Sequence, residues 1–393
     1  MPPFFSQDEY AARLEKTRQA MAARGIATLI VTDPSNMHWL TGYDGWSFYV
    51  HQAVVVALEG EPLLWVRTQD MPGAWQTAWV SRDNVLTYPE AHVQNPGAHP
   101  YETLATHLAE RGLTAALGVE MDNYYFSAAC FETLRAALPA ATIRDATGLV
   151  NHCRLVKSPA EIAAMETAGR ITAEMHRVLR ETARPGMRKC DLVAEVAAAG
   201  IRGLPEAGGD YPAIVPIAPS GREAATSHLT WNDREMVLGE ATYFEIAGCY
   251  RRYHCPVSRT LFLGAMPAEI ARAEEAVLAA IEAALARAVP GASCEHVAMG
   301  VYEAFEARGF EKANRTGYPI GLSYPPDWGE RTISLRPGEK TALEENMCFH
   351  LMPGLWTADW GVAITESFVV TPEGGRCLAE IPSAIHCPSG RGI

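Results

Sequence analysis

No stretch of this chain approaches the roughly 20 consecutive apolar residues that a membrane-spanning helix requires. Its opening, Met-Pro-Pro-Phe-Phe-Ser-Gln-Asp-Glu-Tyr, lacks the basic region and apolar core of a secretory signal. Positive charge is also scarce. Against 46 Asp and Glu there are 33 Lys and Arg, a net charge of −13, which excludes the cationic footprint that nucleic acids and anionic membranes demand. The 9 cysteines form no C-x-x-C pair and are odd in number, which argues against a disulfide framework or a zinc motif and for reduced thiols in a cytoplasmic protein. Low-complexity tracts and short repeats are missing as well. A small-molecule or peptide partner is the class that remains.

What the chain does have is enough apolar residue, 48% of 393, for two domains with sizeable cores. Residues 8–24 have an amphipathic helical pattern, Ala27 to Asp33 reads as a buried strand, and Asp33-Pro-Ser-Asn36 reads as a turn. Strand-like runs at 52–57, 61–66 and 116–119 and a helix near 101–112 complete an alternating α/β pattern. Ser158-Pro-Ala-Glu161 then opens a new helix with a capping box. This places an N-terminal domain at 1–155 and a second at 156–393. The second carries helical patterns at 189–203, 267–287 and 293–308, with strands at 241–246, 259–263, 347–351 and 365–370. Helices followed by strands in two batches predict a curved antiparallel sheet with helices over one face.

Several segments resemble the methionine-aminopeptidase/creatinase/prolidase family. They are Val156 to Ile162, Ala183 to Gly186, Phe244 to Thr260, Gly317-Tyr-Pro-Ile-Gly321 and Leu343 to Gly354, with Arg13, Gly25 to Asp33 and Trp39-Leu-Thr-Gly-Tyr43 in the first domain. The resemblance implies an α/β creatinase/prolidase-type N-terminal domain followed by an α+β "pita-bread" catalytic domain. Metallopeptidases of that family hold two divalent ions with two aspartates, a histidine and two glutamates. Here those positions fall on Glu245, Pro256, Tyr318, Met352 and Thr365. Proline, methionine and threonine do not assemble a dinuclear carboxylate centre, so no metal and no cofactor are expected.

The resemblance to metal-free members, creatinase among them, makes His228 the acid/base, Glu245 a nucleophile or cation-stabilising carboxylate, and Glu366 a second carboxylate. Glu245 to Thr260 and Gly317 to Glu330 are most similar to the branch that opens the cyclic amidine ectoine to N-acetyl-diaminobutyrate. A histidine with a pKa near 6.5 suits proton transfer at neutral pH, and aromatic faces suit a delocalised cation. His254, Tyr318, His350, Trp356, Asp359 and Trp360 are therefore expected to contact a small zwitterion. By analogy with creatinase-like dimers, Trp46 and Tyr49 of one subunit are expected to close the site of its partner.

Plainer readings stand beside these. His228 also reads as a surface-loop histidine, Glu366 as a strand-end charge and Asp359 as a turn residue. His254 and His350 also read as core histidines satisfied by backbone groups, and the tryptophans and Tyr318 as packing. Another guanidino- or amidino-acid hydrolase, or a catalytically inactive binding module, remains open at this level.

Overall fold

The computed structural model describes residues 3–388. The chain divides into two compact units, the first ending at Arg154 and the second beginning at Leu155.

The first unit runs α1 (Gln7–Ala23), β1 (Thr28–Val31), α2 (Pro34–Thr41), β2 (Ala53–Ala57), β3 (Leu63–Arg67), α3 (Met71–Thr77), β4 (Val85–Tyr88), α4 (Pro100–Glu110), β5 (Leu117–Val119), α5 (Ala128–Ala137), β6 (Ile143–Asp145) and α6 (Leu149–Cys153). Its six strands lie in the order β4-β3-β2-β1-β5-β6, antiparallel where β2 pairs with β1 and β3 and parallel elsewhere. The segment Asp33 to Asn36 begins a helix instead of a turn. Asp33 is the N-cap, accepting from Ser35 N at 2.8 Å, and Pro34 opens α2, where a missing N–H costs nothing.

The second unit continues with α7 (Pro159–Thr182), α8 (Lys189–Arg202), β7 (Ala241–Tyr250), β8 (Tyr253–Phe262), α9 (Ala268–Arg287), α10 (Cys294–Glu306), β9 (Gly317–Pro319), β10 (Cys348–Leu351), β11 (Leu355–Trp356), β12 (Gly361–Val362), β13 (Glu366–Thr371) and β14 (Gly374–Cys377). All of its strand ladders are antiparallel. The Ser158 box caps α7 as expected: Ser158 Oγ accepts from Glu161 N at 3.3 Å, and Glu161 Oε2 accepts from Ser158 N at 2.9 Å. Each helix pair buries its apolar stripe against its own strands, α7 and α8 with Phe244, Ile246 and Leu261, α9 and α10 with Phe349, Leu351 and Phe368.

Helix α7 lies directly on the β7–β8 hairpin because Gly248 has no side chain. A Cβ there would stand 2.4 Å from Ala168 O and 2.6 Å from Thr172 N. The contact is closed by Thr172 Oγ1, which accepts from Gly248 N at 2.8 Å and donates to Cys255 O at 2.7 Å. Gly248→Ala is expected to push helix and hairpin apart and cost about 2 kcal/mol or more, read as a lower denaturant midpoint; an unchanged midpoint would show that α7 yields freely.

Candidate active site in the C-terminal unit

The long hairpin positions Glu245. Flanked by buried Phe244 and Ile246, it is opposed by Ser258 on β8, so the two side chains share a face. Glu245 is partly exposed, with protein crowding its carboxyl. Burial pushes its pKa up to about 7, with the nearby Ser258 hydroxyl opposing the rise. That hydroxyl is buried without a partner at hydrogen-bond geometry, so its influence is that of a close dipole. Tyr243 and Tyr318 also feel the Glu245 charge: burial first, then that carboxylate, hold both phenols protonated.

A chain of polar groups links Trp328 and Tyr318 to the hairpin. Trp328 Nε1 donates to Tyr318 Oη at 2.8 Å, Tyr318 Oη meets His350 Nδ1 at 3.2 Å, and His350 Nε2 meets Thr365 Oγ1 at 2.7 Å. Thr365 Oγ1 in turn accepts from Ser258 N at 2.7 Å. His350 is thus neutral and saturated, its pKa pushed down to about 3 by burial. His254 is equally committed: Nδ1 donates to Arg252 O at 2.9 Å and Nε2 accepts from Ala213 N at 2.8 Å. Neither histidine offers a free nitrogen to a substrate, which corrects the expectation that both contact it.

Glu366 is corrected too. Its carboxylate accepts from Arg259 Nη2 at 2.6 Å and Ser383 Oγ at 2.7 Å, and it is 2% exposed. It sits opposite Leu351, a core residue, whereas His350 sits opposite Ser367 and Tyr318. Successive strand residues alternate faces, so Glu366 points away from the side that Tyr318 and His350 share. Asp359 lies at the exposed tip of the β11–β12 hairpin, where its N–H donates to Thr357 Oγ1 at 3.3 Å. Trp360 packs on the core beneath α9 and α10.

The aromatic faces nominated for a substrate cation already carry protein cations. Lys312 Nζ lies 5.4 Å from the Trp356 ring centre, and Arg315 lies 4.7 Å from that of Tyr318. Trp356 meets Tyr243 edge-on at 6.4 Å, and both join Ile217, Ala224 and Ala363 in one apolar cluster. Lys312, Tyr243, Ser258 and Trp328 escaped the sequence reading because none belongs to a chemical motif; only the strand alternation around Glu245 pointed to Tyr243.

His228 occupies an exposed loop, its Nδ1 3.4 Å from Ser227 Oγ. Tyr243 donates to Thr226 O and ties the loop to β7. Ile217 bridges to Thr230 on one side and to Glu245 on the other, so two strand spacings, about 10 Å, separate the loop from Glu245. The two residues share a neighbourhood without touching. Trp46 and Tyr49 belong to the N-terminal unit, 58% and 64% exposed; the Tyr49 hydroxyl accepts from Arg67 at 3.2 Å.

Residues 163–372 match the model described as metallopeptidase family M24, and residues 13–156 match the creatinase/prolidase N-terminal domain. The chain belongs to the M24 family. It is a hydrolase acting on C–N bonds. It is similar to the ectoine hydrolase of Halomonas elongata, 53% identical over 96% of this chain and 97% of that protein. Among solved structures, this M24 member is similar to the dipeptidase PepE of Mycobacterium ulcerans, with TM-score 0.80 and 23% identity over 98% of this chain and 99% of that one. It is also similar to the prolidase of Thermococcus sibiricus, with TM-score 0.83 and 20% identity over 98% of this chain and all of that one. At those identities the structural likeness concerns the fold.

The M24 name implies metal ions, and the donors present do not fit them. Pro256 carries no side-chain ligand and its carbonyl accepts from Ser367 Oγ at 2.6 Å, while Tyr318 and Thr365 are spent on the His350 chain. Among the described residues, no group of three His, Cys, Asp or Glu converges on Glu245.

Two stability measurements test this geometry. Glu366→Gln leaves the buried Arg259 charge without its counter-ion and is expected to cost about 3 kcal/mol, seen in denaturant unfolding; a cost near zero would return Glu366 to the catalytic candidates. Glu245 behaves oppositely. Its folded pKa lies above the ordinary 4.5, so the folded chain binds the extra proton and this group's stabilising contribution is lost as pH rises through about 7. Glu245→Gln is therefore expected to stabilise the protein by about 1 to 2 kcal/mol at pH 8, discounted for the solvent-accessible edge, and by little at pH 5. Equal effects at both pH values would show that Glu245 is not buried as described.

Proposed function

We propose that the chain opens the cyclic amidinium of ectoine to N-acetyl-diaminobutyrate without a metal, with Glu245 as the reacting or cation-stabilising carboxylate and His228 as the proton carrier. The observation that carries the substrate is the 53% identity to the Halomonas elongata protein across nearly the whole of both chains. The observation that supports the mechanism is a buried carboxylate standing where the family's metals would need a ligand set that is not present.

Hydrolysis adds one water at the amidinium carbon and breaks one ring C–N bond, whose nitrogen leaves with a proton as an amine. Glu245 serves in either of two ways. It attacks the carbon itself, giving a covalent adduct that water then cleaves at the new C–O bond, or it holds the cationic ring by a charge-assisted hydrogen bond while water attacks. With the faces of Trp356 and Tyr318 each supplied with a protein cation, the substrate's positive charge falls to Glu245. Its raised pKa favours this exchange, because a carboxylate poorly solvated in the free enzyme gains most from a bound cation.

His228 lies on a loop that Tyr243 tethers to β7 near Glu245, and closure of that loop over the carboxylate would deliver it. The exposed Trp46 and Tyr49 fit a homodimer in which the N-terminal unit of one subunit covers its partner's site. The odd number of cysteines and the lack of a C-x-x-C pair in the sequence support a cytoplasmic setting.

Incubation with ectoine, with and without excess chelator, followed by mass spectrometry for the gain of one water, tests the proposal. Chelator-insensitive conversion is expected, with Glu245→Gln and His228→Ala each lowering kcat/KM about a hundredfold or more; failure to convert ectoine overturns the substrate, and chelator sensitivity overturns the metal-free reading. The pH profile gives a second test. Because Glu245 acts as the carboxylate, kcat/KM is expected to fall below about pH 7, and Ser258→Ala is expected to move that limb to higher pH by removing the dipole that opposes the rise. A limb that stays put would assign the titration to another group.

A further inference from the structure

Outside the catalytic unit, His51, His99 and Cys130 each present one ligand atom within 4.8 Å of the others. We infer that these three side chains form a zinc-type metal site in the N-terminal unit, with its fourth position open to an adjoining cavity.

The spacing is that of a coordination shell. A tetrahedral zinc ion with an S–metal bond near 2.3 Å and an N–metal bond near 2.05 Å holds its sulfur and nitrogen about 3.6 Å apart. Cys130 Sγ and His51 Nδ1 are 3.6 Å apart. The His51 and His99 rings lie side by side, 4.9 Å between centres. Imidazole and thiolate together favour a borderline ion such as Zn²⁺ over Mg²⁺ or Ca²⁺.

Local electrostatics prepare the ligands. His51 and His99 are both partly buried, and a neutral imidazole keeps a lone pair for a metal. Cys130 is a buried thiol whose pKa burial raises; a cation is what would let it ionise. It lies in the first turn of α5, and His99 is the N-cap of α4, so two helix N-termini face the cluster and favour a thiolate. Ser127 Oγ stands 3.3 Å from the sulfur as an outer hydrogen-bond partner. Loading the site releases the Cys130 proton.

The open side is a cavity of about 390 Å³ lined by His51, His99, His92, Tyr49 and Tyr88. His92 Nδ1 is buried without a hydrogen-bond partner. Water reaches the cluster through this cavity and fills the fourth position, as in zinc sites with three protein ligands.

The test uses full-length, reduced, metal-stripped protein titrated with Co²⁺ and then Zn²⁺. One Co²⁺ per chain is expected, with a thiolate-to-cobalt charge-transfer band in the near ultraviolet and four-coordinate visible bands that Zn²⁺ abolishes. Cys130→Ser should lose the charge-transfer band, and His51→Ala should weaken binding by about a hundredfold or more. Alkylation of Cys130, followed by peptide mapping on the unmodified sequence, should slow when Zn²⁺ is present. No thiolate band in the parent protein, a band that survives Cys130→Ser, or alkylation unaffected by Zn²⁺ would each overturn the site. Ectoine turnover plays no part in these readouts, so they stand apart from the function proposed above.

Discussion

The buried pair between Arg259 and Glu366 fixes the geometry of the catalytic unit. The β7–β8 hairpin and the β10–β13 sheet share no ladder, so beyond single backbone bonds such as Thr365 N to Ser258 O at 3.2 Å their union depends on side chains. Arg259 donates to Glu366, to the carbonyls of Ser258 and Thr365, and to those of Ile381 and Pro382. Thr260 Oγ1 donates to Ala363 O and accepts from Ala363 N, at 3.0 and 2.9 Å. A guanidinium offers five donors in a fixed fork, and nearly every one here ends on an oxygen from the opposite half. Two desolvated charges gain little by themselves; what this pair supplies is registry.

That registry also sets what lies on the other face. With Arg259 and Glu366 on one face, Ser258 and Thr365, both buried, lie on the other, and the Thr365–His350–Tyr318 chain includes two of the positions where the family resemblance expects metal ligands. The chain is fully hydrogen-bonded, so it is rigid and electrically neutral. One carboxylate is left to carry the local charge, which is why burial moves its pKa so far toward neutrality.

Much of the fold could be read directly from the chain. The Ser158 capping box, the long helical stripes and the Phe244 to Thr260 hairpin are strong local signals, and each has its element. The short elements were poorly legible. Asp33-Pro-Ser-Asn36 carries residues that serve equally a turn and a helix start, and only the packing of Met37, Trp39 and Leu40 into the core decides between them. Within the candidate site, Glu245 was nominated because a charge between two core residues is expensive unless it has a task. Glu366 was misread because it and Thr365 are adjacent in one strand, and a shift of one residue exchanges the two faces.

By itself the sequence determined the family and the two-part organisation, and it nominated the replaced ligand positions and the Glu245 carboxylate. These rest on residue identity and on short-range patterns that survive without three-dimensional context. Only the tertiary structure decided which polar groups are free. His254, His350 and Glu366 have the same chemistry as Glu245 and His228 on paper, but hydrogen-bond saturation depends on partners 2 to 107 residues away in the chain, brought together only when the apolar faces close.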